Sequence, residues 1–282
     1  MAICLWPLAL GFASNIVGRR IRVAMRRDFL PFSGRAENGK PTGLLVELLL
    51  ASMPGLDVEV EFVTPHELLV SDADAVLHSH RTPKQADKFY SYDVLALKNA
   101  AYTKAGSGIV LDHVFADLVG SNLSVATWQG ATLHFGCAYE VYYGPEGAGA
   151  HLHIETLDAQ ERYMNFLRGE ADVLLMDESL FDALSTLIDP GLMQKWPIGP
   201  IMSDGELEVG NRLRFQFAQA ELGAYFDASF RNVCAGGKED ALYKAIVAKY
   251  GFPESRQYAW FNKFCVPALG LLGGAVEPQC PA

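Results

Sequence analysis

The chain has 282 residues, half of them hydrophobic and 20% charged, with a formal net charge of -10. That length suits two packed lobes or one large α/β domain. The acidic balance argues against a nucleic-acid groove, and the ordinary globular composition excludes a largely disordered chain.

In chain order, Ala2 to Ala13 is almost wholly apolar, and Gly11-Phe12-Ala13 has the small-x-small form of a cleavage site. The run is too short to span a bilayer. It reads as a secretory signal over residues 1–13, although no Lys or Arg precedes it. The expected compartment is the periplasm. Ile21-Arg22-Val23-Ala24-Met25 predicts a strand, followed by a loop with Pro31, Gly34, Gly39 and Pro41 as breakers. An apolar helix over Leu44–Met53 and strands over Val58–Val63 and Ala73–Val76 come next. The loop Ser79–Pro83 then leads into a charged helix start at Lys84–Lys88.

The pattern repeats in the second half. Leu123–Thr127 reads as a strand, and Gln129–Thr132 as a turn into a helix near Leu133–Tyr142. After the Gly-rich loop Gly144–Gly149, a strand is expected over His151–Ile154. A helix follows over Asp158–Gly169 with Tyr163, Met164 and Leu167 on one face. Asp172–Met176 is a buried strand ending at Asp177-Glu178. Leu222–Tyr250 is helical with a break at Gly236-Gly237, and the Pro- and Gly-rich tail is expected to wrap the surface. Strands alternating with helices in two βαβ halves argue for parallel sheets.

There are five cysteines. Cys4 falls in the signal, leaving Cys137, Cys234, Cys265 and Cys280, an even set that suits an oxidising compartment. Of the three possible pairings, Cys265–Cys280 is the most local; buried free thiols are the alternative. His78-x-His80 and His151-x-His153 each put two imidazoles on one strand face. The sequence offers no third or fourth ligand, so neither a metal nor a cofactor is expected.

Ligands of parallel α/β sheets sit beyond the carboxyl ends of strands. Gly130-Ala131-Thr132 lies at such an end, where free backbone N–H groups and the Thr132 hydroxyl suit a carboxylate; a plain helix cap is the alternative. Asp177 closes a buried strand, where a carboxylate suits a ligand ammonium, a helix cap or a hinge salt bridge. His80 is a hydrogen-bonding candidate in the same region.

Four segments together resemble the family 3 periplasmic solute-binding proteins, the polar amino acid receptors of ABC transporters. The first is Ile21–Ala24 through Phe29–Ser33, Asn38-Gly39-Lys40 and Gly43–Glu47. The second is Ala73–Val76 with Arg81-Thr82-Pro83. The third is Val125 through Gln129–Thr132, and the fourth is Gly169–Glu178. The likeness covers most of 21–252.

The resemblance implies a two-lobed α/β periplasmic-binding-protein (Venus-flytrap, type II) fold with two hinge crossovers. Lobe I would take 18–96 plus 200–257, and lobe II 97–199, with the tail 258–282 unmatched. The crossings would fall near Leu95–Lys98 and Ile198–Met202. The resemblance also gives Phe29 and Trp128 side-chain contacts to the ligand, Thr82 a hydroxyl or backbone contact, and Asp177 the α-amino group.

Three positions depart from the family pattern. Gln85 stands where an Arg grips the α-carboxylate, which leaves Arg81 or Lys84 as substitutes. Arg26 stands where receptors for basic amino acids carry an acid, and favours an anionic ligand. Leu45 replaces an Asp or Glu at a helix start. The implied function is capture of a small polar, amino-acid-like or carboxylate-bearing ligand by a monomer that serves an ABC transporter permease, with no catalysis and no nucleic acid. A dehydratase-like enzyme of the same fold, with Asp177 or Glu178 as general acid, and a ligand-sensing domain are the alternatives.

Overall fold

The computed structural model describes residues 17–27, 29–79, 87–128, 137–156, 158–185, 190–198, 201–203, 206–208, 211–235, 241–252, 257 and 260–265. The expected signal, residues 84–86 of the expected helix start, the Gly236-Gly237 break and the end of the tail lie outside them, and Asp87-Lys88, the rest of that helix start, form a turn leading into a strand rather than a helix. The described residues fall into two units, one from 17–79, 87–95 and 213–265, the other from 96–212.

The first unit begins with β1 (Arg20–Arg26), in which Arg20 and Arg22 alternate with buried Ile21 and Val23. A hairpin of β2 (Gly34–Arg35) and β3 (Pro41–Thr42) leads to α1 (Leu44–Ala51), β4 (Asp57–Val63), α2 (Pro65–Leu69), β5 (Ala75–Ser79), β6 (Phe89–Tyr90) and β7 (Leu95–Leu97). Leu44, Leu45, Val46, Leu48 and Leu49 are all buried and make α1 a core helix, in which Leu45 is fully buried. That burial is the physical reason for an apolar residue at this helix start.

The second unit holds β8 (Asn99–Lys104), α3 (Val114–Leu118), β9 (Val125–Trp128), α4 (Cys137–Tyr143), β10 (His153–Thr156), α5 (Ala159–Arg168), β11 (Val173–Asp177), α6 (Glu178–Ser185) and β12 (Met193–Pro197). A small hairpin of β13 (Ile201–Ser203) and β14 (Glu206–Glu208) follows. The chain then returns to the first unit through β15 (Asn211–Phe217), α7 (Ala220–Cys234) and α8 (Leu242–Lys249).

The two sheets share one plan. In the first the order is β4-β1-β5-β15-β6, in the second β10-β9-β11-β8-β12. Each opens with three parallel strands and continues with antiparallel ones. The first core gathers Phe215 and Phe217 of β15 against Phe226 of α7, at ring separations of 5.2 and 5.5 Å. The second packs Val125, Val173 and Leu175 against Leu118, Tyr139 and Tyr143.

Three local expectations need correction. The buried face of α5 is Ala159, Arg162, Tyr163 and Phe166, whereas Met164 is exposed. The i, i+3, i+4, i+7 spacing that includes a charged residue wins over the more apolar stripe. His151 belongs to a short helical turn ahead of β10, so it does not share a strand face with His153. Cys265 is bonded to Cys234, not to Cys280. Cys234 ends α7 and Cys265 ends a single helical turn over Phe261–Cys265. Both are fully buried, with their Cα atoms 5.1 Å apart. Tertiary packing brings them together, which local spacing does not register.

Candidate functional site

In the first unit the strand order reverses at β1, with β4 on one side and β5 on the other. The carboxyl ends of β1 and β5 therefore form the switch point at which open α/β sheets bind ligands. Arg26 ends β1, and its guanidinium carbon lies 4.8 Å from the centroid of the Phe29 ring. That is cation–π geometry. The structure thus brings Arg26 and Phe29 together. Phe29 is 4% exposed and packs 5.0 Å from Phe32, so most of its ring is engaged within the unit.

The loop that carries Phe29 is pinned by backbone bonds. Ser33 Oγ donates to the Arg26 carbonyl at 2.6 Å, and the Phe29 and Ser33 backbones pair at 3.0 Å in both directions. The first N–H groups of α1 donate to the carbonyls of Pro31 and Phe32, each at 2.9 Å. This close approach needs Gly43, whose φ is 123° and whose missing Cβ would run into the Phe32 carbonyl.

Two residues absent from the expected site sit at the same edge. His78 of β5 and Arg214 of β15 are direct partners across the sheet, and each is 6% exposed. Both lie against Tyr90, with His78 4.9 Å from its ring centroid and the Arg214 guanidinium carbon also 4.9 Å away. The signal for Arg214 was the alternation Arg212-Leu213-Arg214-Phe215-Gln216-Phe217, a strand with one apolar face.

The second unit repeats the topology. Its order reverses at β9, between β10 and β11. Trp128 ends β9 and Asp177 ends the neighbouring parallel strand β11, so both stand at the equivalent switch point. Trp128 is 8% exposed and belongs to the core. Asp177 is 4% exposed, and its Oδ1 accepts from the backbone N–H groups of Ser179 at 2.9 Å and Leu180 at 3.2 Å. This carboxylate therefore caps α6, a stabilising role at a helix start. Arg162 of α5 went unread in the sequence. It is 1% exposed, with its guanidinium carbon 5.8 Å from the Trp128 ring centroid. A charged residue at an apolar-face position of an amphipathic helix was the available sign.

Glu178 is buried and held by Lys98 at 3.2 Å and Lys195 at 2.9 Å. A carboxylate engaged by two ammonium groups is built into the unit rather than offered to a substrate. His80, Arg81, Thr82, Lys84, Gln85, Gly130, Ala131 and Thr132 lie outside the described residues. Among the described residues there is no group of three or more His, Cys, Asp or Glu able to hold a metal ion. No described helix is long and apolar enough to cross a membrane.

No family model and no curated protein matches the chain. Solved structures do. A histidine kinase sensor domain with similarity to periplasmic binding proteins superposes with a TM-score of 0.64 at 20% identity, over 83% of this chain and 96% of its own. EhuB in complex with hydroxyectoine gives 0.63 at 18% identity, over 92% and 97%. The arginine-, lysine-, histidine-binding protein ArtJ from the thermophilic bacterium Geobacillus stearothermophilus gives 0.59 at 20% identity, over 82% and 94%. This chain has the α/β periplasmic-binding-protein fold.

Proposed function

We propose that the chain is an extracytoplasmic solute-binding protein that closes around a small polar, amino-acid-like or carboxylate-bearing ligand and delivers it to an ABC transporter permease. The observation that carries this reading is the paired topology. Each unit has its own switch point, and charged and aromatic side chains gather at it: Arg26 and Phe29 in one, Trp128, Arg162 and Asp177 in the other. The lobe boundaries and crossovers given above belong to the same proposal. A ligand that makes more contacts in the closed state than in the open one favours closure by that difference.

The test is thermal unfolding of the mature protein against amino acids, amines, dicarboxylates and prephenate-like acids. A ligand present at about 100 times its dissociation constant adds about 2.7 kcal/mol to the native state. Asp177→Asn keeps an acceptor oxygen for the α6 cap but removes the charge. It is expected to weaken an ammonium-bearing ligand by about tenfold or more while leaving the melting point of the empty protein nearly unchanged. Equal affinity in the variant would take Asp177 out of the ligand's reach.

A second reading, a ligand-sensing domain that partners a receptor, draws support from the likeness to the kinase sensor domain. Neighbouring genes separate the two, since a permease and an ATPase mark transport. Turnover of prephenate or arogenate by the purified protein would move the reading to an enzyme.

A further inference from the structure

The register of the first sheet sets three basic side chains in one row. β1 and β5 pair Ala24 with Val76, and the same register carried two residues further sets Arg26 level with His78. β5 and β15 pair His78 with Arg214 directly. Level residues on neighbouring strands project from the same face, and strands lie about 4.8 Å apart. The Cα atoms of Arg26 and Arg214 are therefore about 10 Å apart with His78 between them, near enough for both guanidinium groups to reach one small molecule.

The row lies at the carboxyl end of β1 and β5, at the switch point. Aromatic rings hold each end of it. Phe29 sits under Arg26 at 4.8 Å, and Tyr90 under Arg214 at 4.9 Å, with His78 against the same Tyr90 ring. A guanidinium laid on a ring has fewer rotamers left to lose when it grips an anion, and its planar fork matches a carboxylate. Arg214 is 6% exposed, so its charge acts with little solvent screening. Two guanidinium groups this close also repel a cationic ligand.

We infer that this row is an anion site, and that the ligand of the first unit is a carboxylate-bearing molecule of net negative charge. Arg26 and Arg214 contact the carboxylate, and His78 lies between them. The inference rests on the reading of the chain as a small-molecule receptor and narrows its ligand class. It also makes Arg214, on the strand that returns from the second unit, a specificity-determining residue.

Titration calorimetry of the full chain with succinate, L-glutamate, L-glutamine and L-arginine tests it. Succinate or L-glutamate is expected to bind about tenfold or more tightly than L-glutamine, with L-arginine the weakest. Arg214→Gln and Arg26→Gln are each expected to weaken the anions by about tenfold or more, and L-glutamine by clearly less. Arg214→Lys retains charge without the bidentate fork and is expected to fall between. Should Arg214→Gln not fold, the Arg214→Lys and Arg26→Gln titrations carry the same comparison.

Binding of L-glutamine or L-arginine at least as tight as that of L-glutamate would overturn the anion site and leave the receptor reading standing. Folded Arg214 variants with unchanged anion affinity would also overturn it. Silence from all four compounds removes the anion site, whereas only silence from the whole wider panel removes the receptor reading.

Discussion

The Cys234–Cys265 bond gives a perturbation whose size follows from the chain. It closes a loop with a sequence separation of 31 residues, and α8 lies wholly inside that loop. The loop-entropy relation assigns a closure of this length about 3.7 kcal/mol of restriction on the unfolded chain. At about 2.1 cal/mol/K per residue, a 282-residue chain shifts by about 1.7 °C per kcal/mol, so losing the bond should lower the melting point by roughly 6 °C.

The assay is circular-dichroism melting of the oxidised protein, the reduced protein and the Cys234→Ala/Cys265→Ala double variant, with Cys280→Ala as comparator. Reduction opens the cross-link without truncating either side chain. The double variant also truncates two buried sulfurs and should fall at least as far. Cys280→Ala should melt with the parent. If Cys280→Ala falls as far as the reduced protein, or the double variant melts with the oxidised parent, the pairing and the reasoning built on it are wrong.

Two further outcomes concern pH. His153 has a side chain 5% exposed, beside Tyr139 and Tyr143, and burial lowers its pKa from 6.5 to about 4. The unfolded chain takes up the proton first, so stability is complete above about pH 6.5 and falls as pH drops toward 4, by on the order of 3 kcal/mol. His153→Phe should flatten that limb in denaturant titrations at pH 4.5 and 7; an identical loss in the variant would assign the limb to other groups. Asp227 runs the other way. Burial raises its pKa to about 6, opposed by the Tyr92 N–H it accepts at 3.0 Å and by the Arg231 charge. Its favourable contribution is present below the unfolded carboxylate pKa and is lost as pH rises through about 6. Asp227→Asn keeps the acceptor for Tyr92 and should raise the melting point at pH 8 but not at pH 4. A lower melting point at pH 8 would mean that the Arg231 contact outweighs the burial.

The parallel half of each sheet was legible because its strands are short apolar or alternating runs bounded by breakers. Ile21–Met25, Val58–Val63 and Asp172–Met176 all fall within or beside β1, β4 and β11. The antiparallel strands β8, β12 and β15 were not. Asn99–Lys104 mixes polar and apolar residues, and its burial comes from lying between β11 and β12, partners far along the chain. At the site, Asp177 was picked out by its place at a strand end, a rule that needs no partner, whereas Phe29 and Trp128 came from the family resemblance and Arg26 from a departure from its pattern. Arg162, His78 and Arg214 escaped because a basic residue reads as surface until packing buries it. Here the burial is on a helix face in one case and in a strand register in the other two.

Among the described residues the second unit is one stretch of chain, 96–212, whereas the first is made of pieces from either side of it. β15 must pair with β5 and β6 across that whole insertion. A loop that long is slow to close, and prior collapse of the inserted unit shortens it. The second unit can complete its sheet once β12 has been made, but the first must wait for β15. Arg214 takes its place beside His78 only in that last pairing. The edge of the first sheet where Arg26, His78 and Arg214 stand level is therefore complete only once the returning chain has found its register.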